Sequence, residues 1–187
     1  MEISDIYQGR TVSGILRRIR EKRRVYDHER LSIYPLTEEQ KKFFFVRIVG
    51  AGPELSYANV PMLLQLPADT DLIGLKSQLE VVIDNHPYLK VRFTENPDPR
   101  AEERDKYVAR RDDTIPAAVA LLQGQPLDRD SLIRPYNLLG KENLYRAALY
   151  DTENEGKFLF MDFHHVLIDE ASFGIMVSDL KAQSRNK

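Results

Sequence analysis

The sequence predicts an α/β domain in two layers, a mixed β-sheet packed by helices. Three observations lead to it. Segments whose apolar residues recur every three or four positions alternate with short apolar runs of strand length. Turn-forming residues fall between these segments, at Gly50–Pro53, His86-Pro87 and Asp151–Gly156. The chain has 187 residues, the size of one domain, and 42% of them are hydrophobic, enough for a sizeable core.

Taken in order, Val12, Ile15, Leu16 and Ile19 predict an amphipathic helix over 11–24. Its other face carries Arg17, Arg18, Arg20, Lys22, Arg23 and Arg24. A solvated helix face explains that run better than a nucleic-acid patch, because no aromatic platform is interleaved with it. A polar linker follows. Thr37 can cap a second helix, with Gln40 three residues on as in a capping box, and Phe43, Phe44 and Phe45 are bulky enough to anchor it. Val60–Leu66 reads as a strand ending at Pro67. Asp71 caps a helix whose Leu72, Leu75, Leu79, Val82 and Ile83 share a face, and Pro87 ends it.

Leu89–Phe93 reads as a strand, and the charged stretch 94–105 as a surface loop. A short strand near Tyr107 and a short helix over Ala117–Leu122 precede a break at Gln125-Pro126. Leu144–Tyr150 is a strand. Phe158–Phe163 is apolar on both faces except for Asp162, as in a central strand. A helix over 171–182 closes the pattern, with Phe173, Ile175, Met176, Val177 and Leu180 expected inside.

Composition excludes several classes. A net charge of -2 supplies no field to recruit nucleic acid or an anionic membrane. The absence of cysteine rules out a disulfide framework, a thiol nucleophile and thiolate metal sites, and accords with a cytoplasmic protein. Ile3, Ile6 and Val12 are scattered among polar residues, unlike a signal peptide, and no apolar run is long enough to span a bilayer.

Chemistry concentrates in Phe163-His164-His165-Val166-Leu167-Ile168-Asp169-Glu170. An apolar strand delivers two histidines to its C-terminal end, where a sheet presents side chains to a cleft. A neutral imidazole there can accept a proton from an attacking amine or hydroxyl. Adjacent histidines face opposite ways on a strand, so one of the two is expected to be structural. With Asp169 but no third histidine nearby, a metal centre is the weaker reading.

His164-His165-Val166-Leu167-Ile168-Asp169 resembles the HHxxxDG motif of condensation domains of nonribosomal peptide synthetases, which join aminoacyl or peptidyl thioesters into amides. Five further segments resemble the family in the right order. Tyr34-Pro35-Leu36-Thr37-Glu38-Glu39-Gln40 is similar to the opening motif, and Tyr57-Ala58-Asn59-Val60-Pro61 to YNxP. The helix from Asp71-Leu72 is similar to LDxxxLxxAL. Asn85-His86-Pro87-Tyr88-Leu89-Lys90-Val91-Arg92-Phe93 resembles RHExLRTxF, and Leu144-Tyr145-Arg146-Ala147-Ala148-Leu149 falls at PLxRxxL. Residues 4–12 resemble the end of a peptidyl carrier domain.

The resemblance implies residues 1–24 as the C-terminal helix of a carrier domain, 25–32 as a linker, and 33–187 as the N-terminal lobe of a condensation domain, a fold like that of chloramphenicol acetyltransferase. It implies His165 as the catalytic histidine and His164 as structural. Asp169 is expected to bridge to Lys90, which stands where the family has arginine and lacks its bidentate fork. Glu170 replaces the family's glycine and is expected to modify the site by its bulk and charge. No cofactor or metal is expected to bind directly, since the substrates ride on the 4'-phosphopantetheine of donor and acceptor carrier domains.

The second lobe and a neighbouring adenylation domain are the further expected partners, with no nucleic acid and no membrane. The chain alone is expected to be inactive, and its exposed lobe interface to favour a weak dimer. Two rival readings remain: a degenerate docking module for a carrier or partner enzyme, and an epimerisation or acyltransferase relative sharing the histidine motif.

Overall fold

The computed structural model describes residues 32–48 and 58–185. The helix expected over 11–24, the carrier tail and the linker up to residue 31 lie outside the described residues. Helix α1 (Glu38–Ile48) starts where the capping box predicts. The Gln40 N–H donates to Thr37 Oγ1 at 3.2 Å, and the Thr37 N–H donates to Gln40 Oε1 at 3.0 Å. Helix α2 (Leu72–Asn85) is capped by Asp71, which accepts from the N–H groups of Ile73 and Gly74. Its Leu72, Leu79, Val82 and Ile83 are buried, each burial worth about 2 kcal/mol.

The strands form two sheets. A mixed one has the order β2-β7-β6-β5, built from β2 (Asn59–Leu66), β7 (Gly156–His164), β6 (Tyr145–Thr152) and β5 (Ala120–Gln123). An antiparallel one has the order β1-β4-β3, from β1 (Ile33–Pro35), β4 (Tyr107–Arg111) and β3 (Val91–Glu95). In the larger sheet β7 pairs antiparallel with both β2 and β6, while β5 runs parallel to β6. Gly156, at φ +94, closes the β6–β7 hairpin with a backbone that side-chain-bearing residues rarely adopt.

The expectation of an α/β domain with a mixed sheet packed by helices holds, with four local corrections. The first is that Phe45 does not anchor α1 but is 66% exposed. Ala117–Leu122 forms no helix: Ala120–Gln123 pairs with Ala148–Asp151 as β5. So short an apolar run has no periodicity to separate strand from helix, and the open edge of β6 decides it. Leu89 does not begin a strand, because Pro87–Lys90 is a 3₁₀ turn with proline at its start, and β3 begins at Val91. Ile175 is not inside: in α4 (Glu170–Arg185) it is 57% exposed, whereas Met176 is buried. A four-residue helix, α3 (Arg129–Leu132), lies in the connection before β6.

The core joins α2 to the larger sheet through Leu79, Ile83, Leu149, Met161 and Phe163, and α1 to the smaller sheet through Phe44. The Phe44 ring stacks on Tyr107 at 4.9 Å and meets Phe93 edge-on at 5.2 Å. That contact brings the preceding turn of α1, with Gln40 and Phe43, against the end of β7.

Candidate active site

Strand β7 is covered on both sides, and Phe158–His164 is buried throughout. Apolar residues on both faces suit this, and the strand becomes a rigid rod that fixes whatever follows it. His164 ends the strand in register with Asn59, and its N–H donates to Leu144 O at 2.9 Å. The ring is buried, met edge-on by Phe43 at 5.3 Å and by Tyr136 at 6.0 Å. Its Nδ1 accepts the Val166 N–H at 3.0 Å. The imidazole is therefore neutral with its proton on Nε2. Burial, helped by the neighbouring His165, pulls its pKa down to about 4. His164 is in the position of a structural residue.

His165 turns the other way. Its N–H donates to Ala58 O at 2.7 Å, while its side chain is exposed. The ring lies 5.8 Å from that of Phe43, tilted by 31°. No described residue hydrogen-bonds to its ring nitrogens. The turn behind it is anchored at every residue. Val166, Leu167 and Ile168 are buried, the Leu167 N–H returns to His164 O at 2.9 Å, and Gln40 Nε2 donates to Val166 O at 2.8 Å. A cleft of about 580 Å³ opens beside His165, with Gln40, Phe43, Tyr88, Asp169 and Met176 among its lining.

Asp169 caps α4 instead of bridging to Lys90. Its carboxylate accepts the Ser172 N–H at 2.7 Å and its carbonyl the Phe173 N–H at 2.9 Å. The Ser172 bond holds the Asp169 carboxyl below its usual range. Lys90 is ion-paired with Asp84. The 3₁₀ turn that directly follows α2 folds Lys90 back beside that helix's last turn, and the Asp169 carboxylate is already engaged. Glu170 is exposed and opens α4, where backbone is helical and a negative charge is favoured by the helix dipole. Glutamate fits there without strain.

Sequence reasoning missed a second polar group beneath the site. Asp162 is fully buried on β7. Its Oδ2 accepts from Asn59 Nδ2 at 2.7 Å and pairs with Arg146 at 3.0 Å. Tyr136 donates its hydroxyl to Asp162 O at 2.8 Å, and the Arg146 guanidinium lies 3.8 Å over the Tyr136 ring. Arg146 also donates to Arg134 O and Pro135 O, at 2.7 and 3.0 Å. Asn59 Oδ1 and Asp162 Oδ1 are buried without a partner among the described residues. Burial pushes the Asp162 carboxyl up, against the pull of Asn59 and Arg146. The one available signal was Asp162 itself, the single polar residue in an apolar run.

Among the described residues no group of three or more His, Cys, Asp or Glu is placed to hold a metal ion. None of their helices is long and apolar enough to cross a membrane.

The chain is similar to several known proteins. The condensation-domain family matches residues 30–183. Bacitracin synthase 3 of Bacillus licheniformis is 25% identical over 185 residues, covering 95% of this chain and 3% of that protein. Tyrocidine synthase 3 of Brevibacillus parabrevis is 25% identical over 156 residues, covering 81% and 2%. The chain thus spans only a small fraction of the length of these relatives.

Among solved structures, the starter condensation domain of rhizomide synthetase superposes with a TM-score of 0.63 at 16% identity, over 80% of this chain and 36% of that one. A mutant of that domain in complex with C8-CoA and Leu-SNAC matches equally well. The X-domain from teicoplanin biosynthesis, solved in complex with OxyB, gives a TM-score of 0.61 at 18% identity, over 81% and 32%. The fold is therefore that of condensation domains, like chloramphenicol acetyltransferase.

Proposed function

The chain belongs to the condensation-domain family, and from that premise we propose that it carries the histidine-bearing half of an amide-forming site in a nonribosomal peptide synthetase. The observation that carries the proposal is His165: an imidazole with no hydrogen-bond partner among the described residues, set by a buried strand at the edge of an open cleft. The solved mutant relative in complex with C8-CoA and Leu-SNAC supports thioester chemistry for this fold.

In the proposed reaction the acceptor amine attacks the carbonyl carbon of the donor thioester. A C–N bond forms, the C–S bond breaks, and the thiol leaves with the proton that the amine gives up. His165 holds or takes that proton, or stabilises the charge that develops at the reacting centre. The two substrates arrive on 4'-phosphopantetheine arms of donor and acceptor carrier domains, and the chain binds no cofactor of its own. Residues 1–24 belong to a preceding carrier and 25–32 to a linker. A second lobe completes the site, and an adenylation domain is a neighbour in the same cytoplasmic synthetase.

Alone, the chain leaves its cleft open and does not orient two tethered substrates, so it is inactive. The test is single-turnover transfer between two loaded carrier proteins, read by intact mass. Product is expected from the chain extended through a second lobe, none from these 187 residues alone, and none from the extended chain after His165→Ala. No product from folded, extended protein with competent carriers would overturn the proposal.

That failure would favour a docking module without catalysis. The structural likeness to the X-domain solved with OxyB supports this second reading. Transfer to a free alcohol or amine, or epimerisation of a tethered residue, would instead point to a relative with the same histidine motif.

A further inference from the structure

Tyr88 stands in the 3₁₀ turn Pro87–Lys90 and lines the same cleft as His165. It occupies the unspecified position of the RHExLRTxF pattern, so the shared motif does not account for it. Its ring is half-buried and packs edge-on against Tyr34, with centroids 5.5 Å apart. Gln40 Nε2 donates to the Tyr88 hydroxyl at 3.0 Å.

The direction of that bond is fixed by chemistry. Gln40 Oε1 accepts the Thr37 N–H at 3.0 Å, which places the amide nitrogen on the opposite side. That nitrogen has two hydrogens, one for Val166 O at 2.8 Å and one for Tyr88. The Tyr88 oxygen is thus an acceptor within the protein, and its own hydrogen points elsewhere. It makes no hydrogen bond to an acceptor among the described residues. Burial pushes the phenol pKa up, so the proton stays on. A hydroxyl polarised by an amide donor is itself a better donor. It donates to no described residue, and Tyr88 lines the cleft proposed to hold acyl groups.

We propose that the Tyr88 hydroxyl donates a hydrogen bond to a carbonyl oxygen of the substrate bound beside His165. This rests on the reading of the cleft as a condensation site. Two carbonyls qualify: that of the reacting thioester, and an amide of the pantetheine arm. A bond to the first strengthens as the oxygen gains charge and acts on the chemical step. A bond to the second acts equally before and during reaction and changes binding alone.

The experiment uses the complete condensation domain that contains this chain, comparing Tyr88→Phe with the wild type. Transfer from an acyl-loaded carrier is followed at varied concentrations of loaded acceptor carrier, with His165→Ala alongside. Tyr88→Phe removes one oxygen and keeps the ring contact with Tyr34. An effect of about tenfold is expected, as a fall in kcat if the thioester is the partner and as a rise in KM if the amide is. A second readout does not depend on turnover: the infrared stretch of a ¹³C-labelled carbonyl in a bound acyl-pantetheine, labelled at the thioester or at an arm amide. At one of the two it is expected at lower frequency in wild type than in Tyr88→Phe.

Unchanged kinetics and identical stretches in Tyr88→Phe, with His165→Ala inactive, would overturn this inference and leave the functional reading standing. Full activity of His165→Ala would instead remove the reading on which the inference rests.

Discussion

Asp162 and His165 lie three positions apart at the end of one strand, in opposite circumstances. Asp162 is closed off from solvent, held by Asn59 and Arg146, with Tyr136 donating to its carbonyl. His165 is exposed and has no hydrogen-bond partner among the described residues. The residues between them make the change: Phe163 is fully buried and His164 spends its Nδ1 on the turn. The difference separates polarity spent on holding the strand from polarity that no described residue engages. Both follow from the same rod-like strand, because a side chain can be left unpaired with fixed geometry only if its neighbours are thoroughly paired.

The sharpest way to break the comparison is to open the closed side. Asp162→Ala leaves the Arg146 guanidinium partly buried without its carboxylate and removes an acceptor from Asn59. Stranding one partner of a buried pair is strongly destabilising, by about 3 to 5 kcal/mol. Urea unfolding of the chain should show a large fall in midpoint. A midpoint within the error of wild type would mean that the cluster is not what fixes β7.

The next effect concerns pH. The His164 pKa lies at about 4 in the folded chain, against an ordinary value of 6.5. Between these values the unfolded chain binds more protons, so folding stability rises with pH there. The contribution is fully present above about pH 6.5 and is lost as the pH falls to about 4, with a span of roughly 3 kcal/mol. His164→Asn keeps a short acceptor for the Val166 N–H but cannot take a charge. Its stability should vary less between pH 7 and pH 4 than that of the wild type. Parallel profiles for the two would show that His164 is not buried as a neutral group.

The two regions were unequally legible in the sequence. His165, His164 and Asp169 occupy one short segment, so their order alone announced a site. Their partners come from far along the chain: Gln40 for the turn, Ala58 for the backbone of His165, and Asn59, Tyr136 and Arg146 for Asp162. Those contacts depend on how β2, β6 and β7 register, which no local pattern encodes. The capping box of α1, the Asp71 cap and the apolar face of α2 were readable because they are set within a few residues. The Asp169–Lys90 bridge failed for the converse reason. A tertiary contact was expected, but local chemistry took both groups first: Ser172 for the aspartate, and Asp84 for the lysine across a proline-started turn.

The smallest predicted effect on stability sharpens the comparison most. His165→Ala removes a ring that touches Phe43 and makes no side-chain hydrogen bond to the described residues. The backbone bond from His165 N to Ala58 O survives the substitution, as do the bonds of His164, Gln40 and Asp169 that shape the turn. The unfolding free energy should therefore change by less than about 0.5 kcal/mol, as for an exposed residue outside any network. The same change is expected to abolish transfer in the complete domain. If His165→Ala instead unfolded the chain as readily as Asp162→Ala does, the imidazole would belong to the supporting structure. Its loss of activity would then say nothing about chemistry. A stable fold without transfer would locate the free end of β7 as the place where the reaction is run.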